Sequence, residues 1–228
     1  MTTFMLVHGA WHGPSAWDRV VPLLEAAGAR AVTVDLTGDH GLHEHAALVA
    51  AALDGAGERV VLVGHSYAGL VVREAADMRP GSVRHIVLVD GWAGPDGASL
   101  FGLAPAAFVE VVQALADTSE DGRWIPAPPP AAYGVTDPGD AEWLAARLVP
   151  QPLRTFTEPT LLAGAVNLIP GTAICCTPLT YPFDRFGESA GYRTLTLDAP
   201  HDVMLTHPEA LTGMLLDAVQ EQEARSLQ

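Results

Sequence analysis

The chain has only two cysteines in 228 residues, and they are neighbours, Cys175 and Cys176. Adjacent cysteines cannot easily bridge each other and lack the spacing of a zinc or redox motif, so neither a disulfide framework nor a thiol site is expected. They read as two small apolar residues of a strand in a reducing compartment. Basic residues are also scarce, with 12 Lys and Arg against 27 Asp and Glu and a net charge of −15. Such a surface repels phosphate backbones and anionic lipid, so nucleic acid and membrane surfaces are not expected partners. No apolar run approaches the roughly 18 residues that a membrane-spanning helix needs. The opening Met1-Thr2-Thr3-Phe4-Met5-Leu6-Val7 has no basic start of a secretory signal, and a cytoplasmic location is the expectation. No glycine-rich phosphate-binding fingerprint follows the first apolar run, so no nucleotide cofactor is expected. Asp39-His40-Gly41-Leu42-His43-Glu44-His45 is rich in ligand types. It sits at a helix start without a second cluster at ligand spacing, and no metal is expected there.

What the chain does contain is 49% hydrophobic and 17% charged residues, the balance of a folded globular domain. Short apolar runs alternate with helical patterns. Phe4–Val7, Ala31–Asp35, Val60–Val63, His85–Val89, Gly171–Cys176 and Arg193–Leu197 read as strands. Ala16–Ala27, Glu44–Gly57, the stretch after Ser66 to Arg79 and Pro208–Gln222 read as helices. This alternation predicts an α/β fold, a mostly parallel sheet with helices on both faces. Residues 95–170 break the rhythm: they lack β-branched runs, carry many prolines, and contain helical patterns at Ala106–Ala116 and Ala141–Leu148. They predict a helical cap insertion over a core made of residues 1–94 and 171–228.

The densest signal is Val60-Val61-Leu62-Val63-Gly64-His65-Ser66-Tyr67-Ala68-Gly69. A buried strand passes into a helix within a few residues, and flanking glycines permit the sharp turn. This is a Gly-His-Ser-X-Ala-Gly form of the nucleophile elbow, with Ser66 pushed outward at its tip. A serine nucleophile needs a base and donors for an oxyanion. The first strand ends in Val7-His8-Gly9-Ala10-Trp11-His12-Gly13, and in a parallel sheet that turn lies beside the one carrying Ser66. The Ala10 and Tyr67 amides are therefore the candidate oxyanion donors. The base should come from a loop after a late strand, where His201 stands. His207 is expected to cap the last helix, and His8 and His65 to shape backbone beside the site.

Taken together, these residues resemble the α/β-hydrolase superfamily, and within it the branch of plant methyl-ester esterases and hydroxynitrile lyases with their bacterial relatives. The resemblance rests on His8-Gly9-Ala10-Trp11-His12-Gly13…Trp17, Asp35-Leu36, the Ser66 elbow, Gln151-Pro152-Leu153…Thr157-Glu158-Pro159 and His201-X-X-Met204-Leu205-X-X-Pro208. It implies Ser66 as nucleophile, His201 as base and Ala10 with Tyr67 as the oxyanion hole. One feature departs from the branch. Its acid sits just after the penultimate strand, where this chain has Leu179 and Thr180. Asp90, ending the strand His85–Val89, is the replacement assigned here. Asp184 and Asp198 are alternatives. Asp202 is the weakest candidate, because neighbouring side chains in extended chain diverge, and Asp35 is read as structural.

The expected activity is cofactor-free hydrolysis of a small apolar ester or thioester by Ser66, His201 and an acid. A lyase eliminating a carboxylate from an acylated metabolite is the alternative. Asp202 stands where hydroxynitrile lyases of the branch carry Lys, which argues against cyanohydrin cleavage. A non-catalytic ligand receptor is the third reading.

Overall fold

The computed structural model describes residues 1–226, with side chains through Val219. Apolar, β-branched runs form β1 (Thr3–Val7), β2 (Arg30–Val34), β3 (Val60–His65) and β4 (Val83–Val89). Two short strands follow, β5 (Trp124–Ile125) and β6 (Gln151–Pro152), then β7 (Gly171–Thr177) and β8 (Arg193–Asp198). The helices are α1 (Val21–Ala26), α2 (Leu42–Gly55), α3 (Ala68–Met78), α4 (Leu100–Leu103) and α5 (Ala106–Ala116). They continue with α6 (Pro138–Ala145), α7 (Arg154–Thr157), α8 (Phe183–Ser189), α9 (Val203–Thr206) and α10 (Pro208–Ser226).

Six strands form one parallel sheet in the order β2-β1-β3-β4-β7-β8. The central strands are covered on both faces, which is why they read as continuous apolar runs. Met5, Leu62, Ile86 and Cys175 face one layer together with apolar residues of α2 and α3. Phe4, Val61, Val87 and Cys176 face the other with apolar residues of α1 and α10. The two cysteines thus point to opposite sides of β7, as successive strand residues must.

Helix boundaries differ from the sequence expectation, and α6 runs Pro138–Ala145 rather than Ala141–Leu148 because Asp137 caps it and Pro138 opens it. Ala16–Ala27 is not one helix but a short 3-10 turn at Pro14–Trp17 followed by α1. Pro22 has no N–H to donate and is tolerated only in a helix's first turn, so α1 begins beside it. Helix α2 starts at Leu42, ahead of Glu44, because two carboxylates satisfy its first amides. Glu44 accepts from Gly41 N–H at 2.7 Å and Glu158 from Leu42 N–H at 2.7 Å.

The β4–β7 connection holds α4 to α7; the expected pattern at Ala106–Ala116 is α5 and that at Ala141–Leu148 overlaps α6, while α4 and α7 were not expected. It also contains an antiparallel pairing of β5 with β6 that the sequence did not suggest. Its Leu100, Val112, Phe156 and Val166 join the apolar cluster of the α2–α3 side of the sheet. Among the described residues, no helix is long and apolar enough to cross a membrane.

Candidate active site

Ser66 stands between β3 and α3 with φ +52°, a backbone region that side chains avoid. Hydrogen bonds hold it there: its N–H donates to Val89 O at 3.0 Å, and its carbonyl accepts from Gly69 and Trp92 N–H, each at 3.0 Å. Gly64 is required below it, because a Cβ there would lie 2.8 Å from the Ala68 carbonyl oxygen and from Val72 Cγ2. Among the described residues, three non-glycines have positive φ: Trp11 at 64°, Ser66 at 52° and Asp90 at 42°. All three lie at this one site. Each such residue costs about 1–3 kcal/mol unless its surroundings hold it, and such strain concentrates at functional sites.

Asp90 follows the last residue of β4 and is 1% exposed. Its Oδ2 lies 2.8 Å from His201 Nδ1, and its Oδ1 accepts from Cys176 N–H at 2.7 Å. A carboxylate beside Nδ1 places the proton on that nitrogen and leaves Nε2 with its lone pair. Both Ser66 and His201 line one cavity. The His201 ring bonds Asp90 through Nδ1, which leaves Nε2 for the serine.

None of Asp184, Asp198 and Asp202 forms a hydrogen bond or ion pair with the His201 ring, whose partner is Asp90. Asp184 starts α8, Asp198 is exposed at the end of β8, and Asp202 is buried and engaged with His12. Leu179 is 44% exposed and is not part of the cavity lining. Asp202 instead meets His12, whose Nε2 is 2.9 Å from Asp202 Oδ2 and whose Nδ1 is 2.7 Å from the Ala10 carbonyl. Both partners only accept, so both ring nitrogens donate and His12 is an imidazolium. Burial disfavours that charge, but Asp202 and the bond to Ala10 outweigh it and raise the His12 pKa. Asp202 is likewise lowered, burial being outweighed by His12. Nothing local in the sequence marks this pairing.

Ala10 and Tyr67 both line the cavity, and neither amide has a hydrogen-bond partner among the described residues. Trp11, between Ala10 and His12, is fixed from three sides. Its amide donates to Gln151 Oε1 at 3.0 Å, its indole N–H to Ile125 O at 3.1 Å, and its carbonyl accepts from Val149 N–H at 2.9 Å. The β5–β6 segment therefore sets the shape of the loop that carries the Ala10 amide.

His65 donates from Nε2 to the His201 carbonyl at 3.0 Å; burial first, then the neighbouring His201, holds its pKa well below the usual value. His8 donates from Nδ1 to Gly9 O at 2.9 Å and accepts from Leu36 N–H at 3.0 Å. Both brace backbone beside the site. His207 does not cap α10 with its ring, which turns to Thr206 Oγ1 at 3.0 Å; its carbonyl accepts from Leu211 N–H instead. The Asp39–His45 side chains go to separate partners: Asp39 to Arg123, His43 to Glu74 and His45 to the Tyr67 hydroxyl. Burial first and Asp90 second push both thiols up, Cys175 to about 12, far from a reactive thiolate.

The cavity has a volume of about 410 Å³ and is walled by Trp11, Tyr67, Trp92, Phe108, Tyr133 and Phe156. Trp92 packs on Phe108, Tyr181, Phe183 and Phe186 with ring centroids 5.1–6.1 Å apart. Sequence reasoning did not single out Trp92 or Tyr181. Each lies just after a strand's carboxyl end, the position that lines ligand crevices in such sheets.

Known proteins share this arrangement of sheet and segments. The Carbendazim hydrolyzing esterase of Nocardioides sp. (strain SG-4G) is 30% identical over 240 residues, covering 94% of this chain and 98% of that protein. Methylesterase 9 of Arabidopsis thaliana is 36% identical over 102 residues, 39% of this chain and 40% of that protein. A solved extracellular alpha/beta-hydrolase from a Paenibacillus species has the same fold, with a TM-score of 0.85 at 20% identity over 96% of this chain and 99% of that one. A family model, that of the alpha/beta hydrolase family, matches residues 4–213. The chain belongs to the alpha/beta hydrolase family.

Proposed function

We propose that this protein is a serine esterase acting on small, apolar, uncharged esters or thioesters, with Ser66 as nucleophile, His201 as base and Asp90 as the orienting acid. The observation that carries the reading is the 2.8 Å contact of Asp90 Oδ2 with His201 Nδ1, beside the cavity that also holds Ser66 and the Ala10 and Tyr67 amides. With Nδ1–H engaged, Nε2 accepts the Ser66 proton as Oγ attacks the ester carbonyl. The oxyanion then accepts from the Ala10 and Tyr67 N–H groups, and each such donor contributes roughly 3 kcal/mol to the barrier reduction. The imidazolium returns its proton to the leaving alcohol or thiol. Water, activated by the same nitrogen, releases the acid and restores Ser66. Apart from the ester and water, the chain's own groups supply every step, so no cofactor is needed.

Residues 95–170 act as the cap in this reading. Phe108, Val111, Val112 and Leu115 of α5 and Ala127, Pro128 and Pro129 form much of the cavity wall. An aromatic, apolar wall favours an apolar acyl or alcohol group, and the net charge of −15 disfavours anionic esters. The esterase names of the relatives agree with this chemistry.

A fluorophosphonate probe with mass mapping tests the reading, alongside turnover of p-nitrophenyl acetate. One label on Ser66, lost with activity in Ser66→Ala, is the expected result. Turnover that survives in Ser66→Ala, or a label elsewhere, contradicts it. Binding of the ester without turnover indicates a receptor.

A further inference from the structure

Arg73, on α3, carries a permanent charge yet is 3% exposed. Its immediate partners are all neutral. Nη1 donates to the Tyr192 hydroxyl at 2.9 Å and Nη2 to Asn167 Oδ1 at 3.4 Å, while Nε has no partner among the described residues. The guanidinium carbon lies 5.5 Å from the centre of the Tyr192 ring. The acids on its own helix are committed elsewhere. Glu74 accepts from His43 Nδ1 at 2.7 Å and Leu161 N–H at 3.0 Å. Asp77 accepts from the amides of Ala163, Gly164 and Val166 at 2.5–3.0 Å. A buried arginine is ordinarily paired with an anion, because desolvation of the cation is otherwise uncompensated.

Arg73 lines a groove of about 670 Å³ that shares no residue with the active-site cavity. Ala93, Leu162, Phe186 and Ala190 give it apolar walls, and Asn167 and Ser189 give it polar groups. Its sides are the two connections between residues 95–170 and the sheet, near Pro95 and near Gly164, together with the end of α8. Phe186 also packs on Trp92 of the active-site cavity, with ring centroids 5.2 Å apart.

We propose that this groove binds a small monocarboxylate with an apolar or aromatic body, its carboxylate paired with Arg73. The guanidinium fork matches a carboxylate, and the walls suit an apolar body. Asp96 in the lining and the net charge of −15 disfavour dianions such as phosphate monoesters. A bound acid would bridge both connections and brace residues 95–170 against the sheet.

Benzoate, with benzamide as its neutral counterpart, tests this by calorimetric titration and thermal melting of the intact protein. Two variants decide the site. Arg73→Gln removes the cation, and Asn167→Asp places a carboxylate beside it at an exposed position, where folding is retained. Saturable benzoate binding is expected, with a rise in Tm, and none with benzamide. The Kd should weaken at least about tenfold in each variant and be unchanged in Ser66→Ala, which separates this site from the esterase reading. If Arg73→Gln does not fold, Asn167→Asp decides alone. Absence of saturable benzoate binding, equal binding of benzamide, or an unaltered Kd in Asn167→Asp overturns the proposal.

Discussion

His12 and Asp202 are 190 residues apart in sequence and bonded at 2.9 Å, tying the loop of the Ala10 amide to the loop of His201. The pKa directions define where this pair stabilises the fold. His12 is raised above 6.5, so its contribution is complete below pH 6.5 and is lost as pH rises through the raised value. Asp202 is lowered below 3.8, so its contribution is complete above pH 3.8 and is lost as pH falls through the lowered value. The wild-type Tm should therefore decline on the alkaline side, and His12→Gln should flatten that decline. An identical alkaline slope in His12→Gln contradicts the imidazolium assignment.

The two halves of the pair should respond unequally to deletion. His12→Ala strands a buried carboxylate whose Oδ1 already lacks a partner, and should cost about 3–5 kcal/mol. Asp202→Asn should cost less, because a neutral His12 can keep its bond to Ala10 and accept from the Asn amide through Nε2. Chemical denaturation of both variants gives the order, and equal losses speak against it.

Strain at the elbow gives a third test. With φ at +52°, Ser66→Gly should be more stable than Ser66→Ala by about 1 kcal/mol, both being inactive. Greater stability of the Ala variant would mean that the backbone relaxes out of the left-handed region once the hydroxyl is gone.

The cap reading separates specificity from stability. Phe108 lines the cavity, and Phe108→Ala should change KM or acyl preference. Val61 is 0% exposed in the middle of β3, and Val61→Ala should cost about 2–3 kcal/mol with substrate preference unchanged. Equal destabilisation at both positions, with no change in preference, contradicts the division.

The parallel sheet was legible because its central strands are buried on both faces and leave unbroken apolar runs such as Val60-Val61-Leu62-Val63. The elbow was legible for the same local reason: Gly64 and Gly69 report close backbone approach within a few residues of Ser66. Helix starts were less so, because Glu158 caps α2 from 116 residues away. Asp90 could be read as a strand-end carboxylate, but its contact with His201 spans 111 residues and depends on β7 and β8 following β4 in the sheet. His12–Asp202 and the Trp11 brace from Gln151 were invisible, since nothing local marks a pairing between distant loops.

Steady-state kinetics of Asp90→Asn bear most directly on the proposed Ser66–His201–Asp90 arrangement. An Asn at this place presents an amide to Nδ1 and favours the wrong tautomer of His201; the same change in a serine protease triad lowers kcat about 10⁴-fold. Against a p-nitrophenyl ester, kcat should fall at least about 100-fold with little change in Tm, while Asp184→Asn and Asp198→Asn remain near wild type. Near-full activity in Asp90→Asn, with the loss appearing at Asp184 or Asp198 instead, would contradict the assignment of Asp90 as the orienting acid.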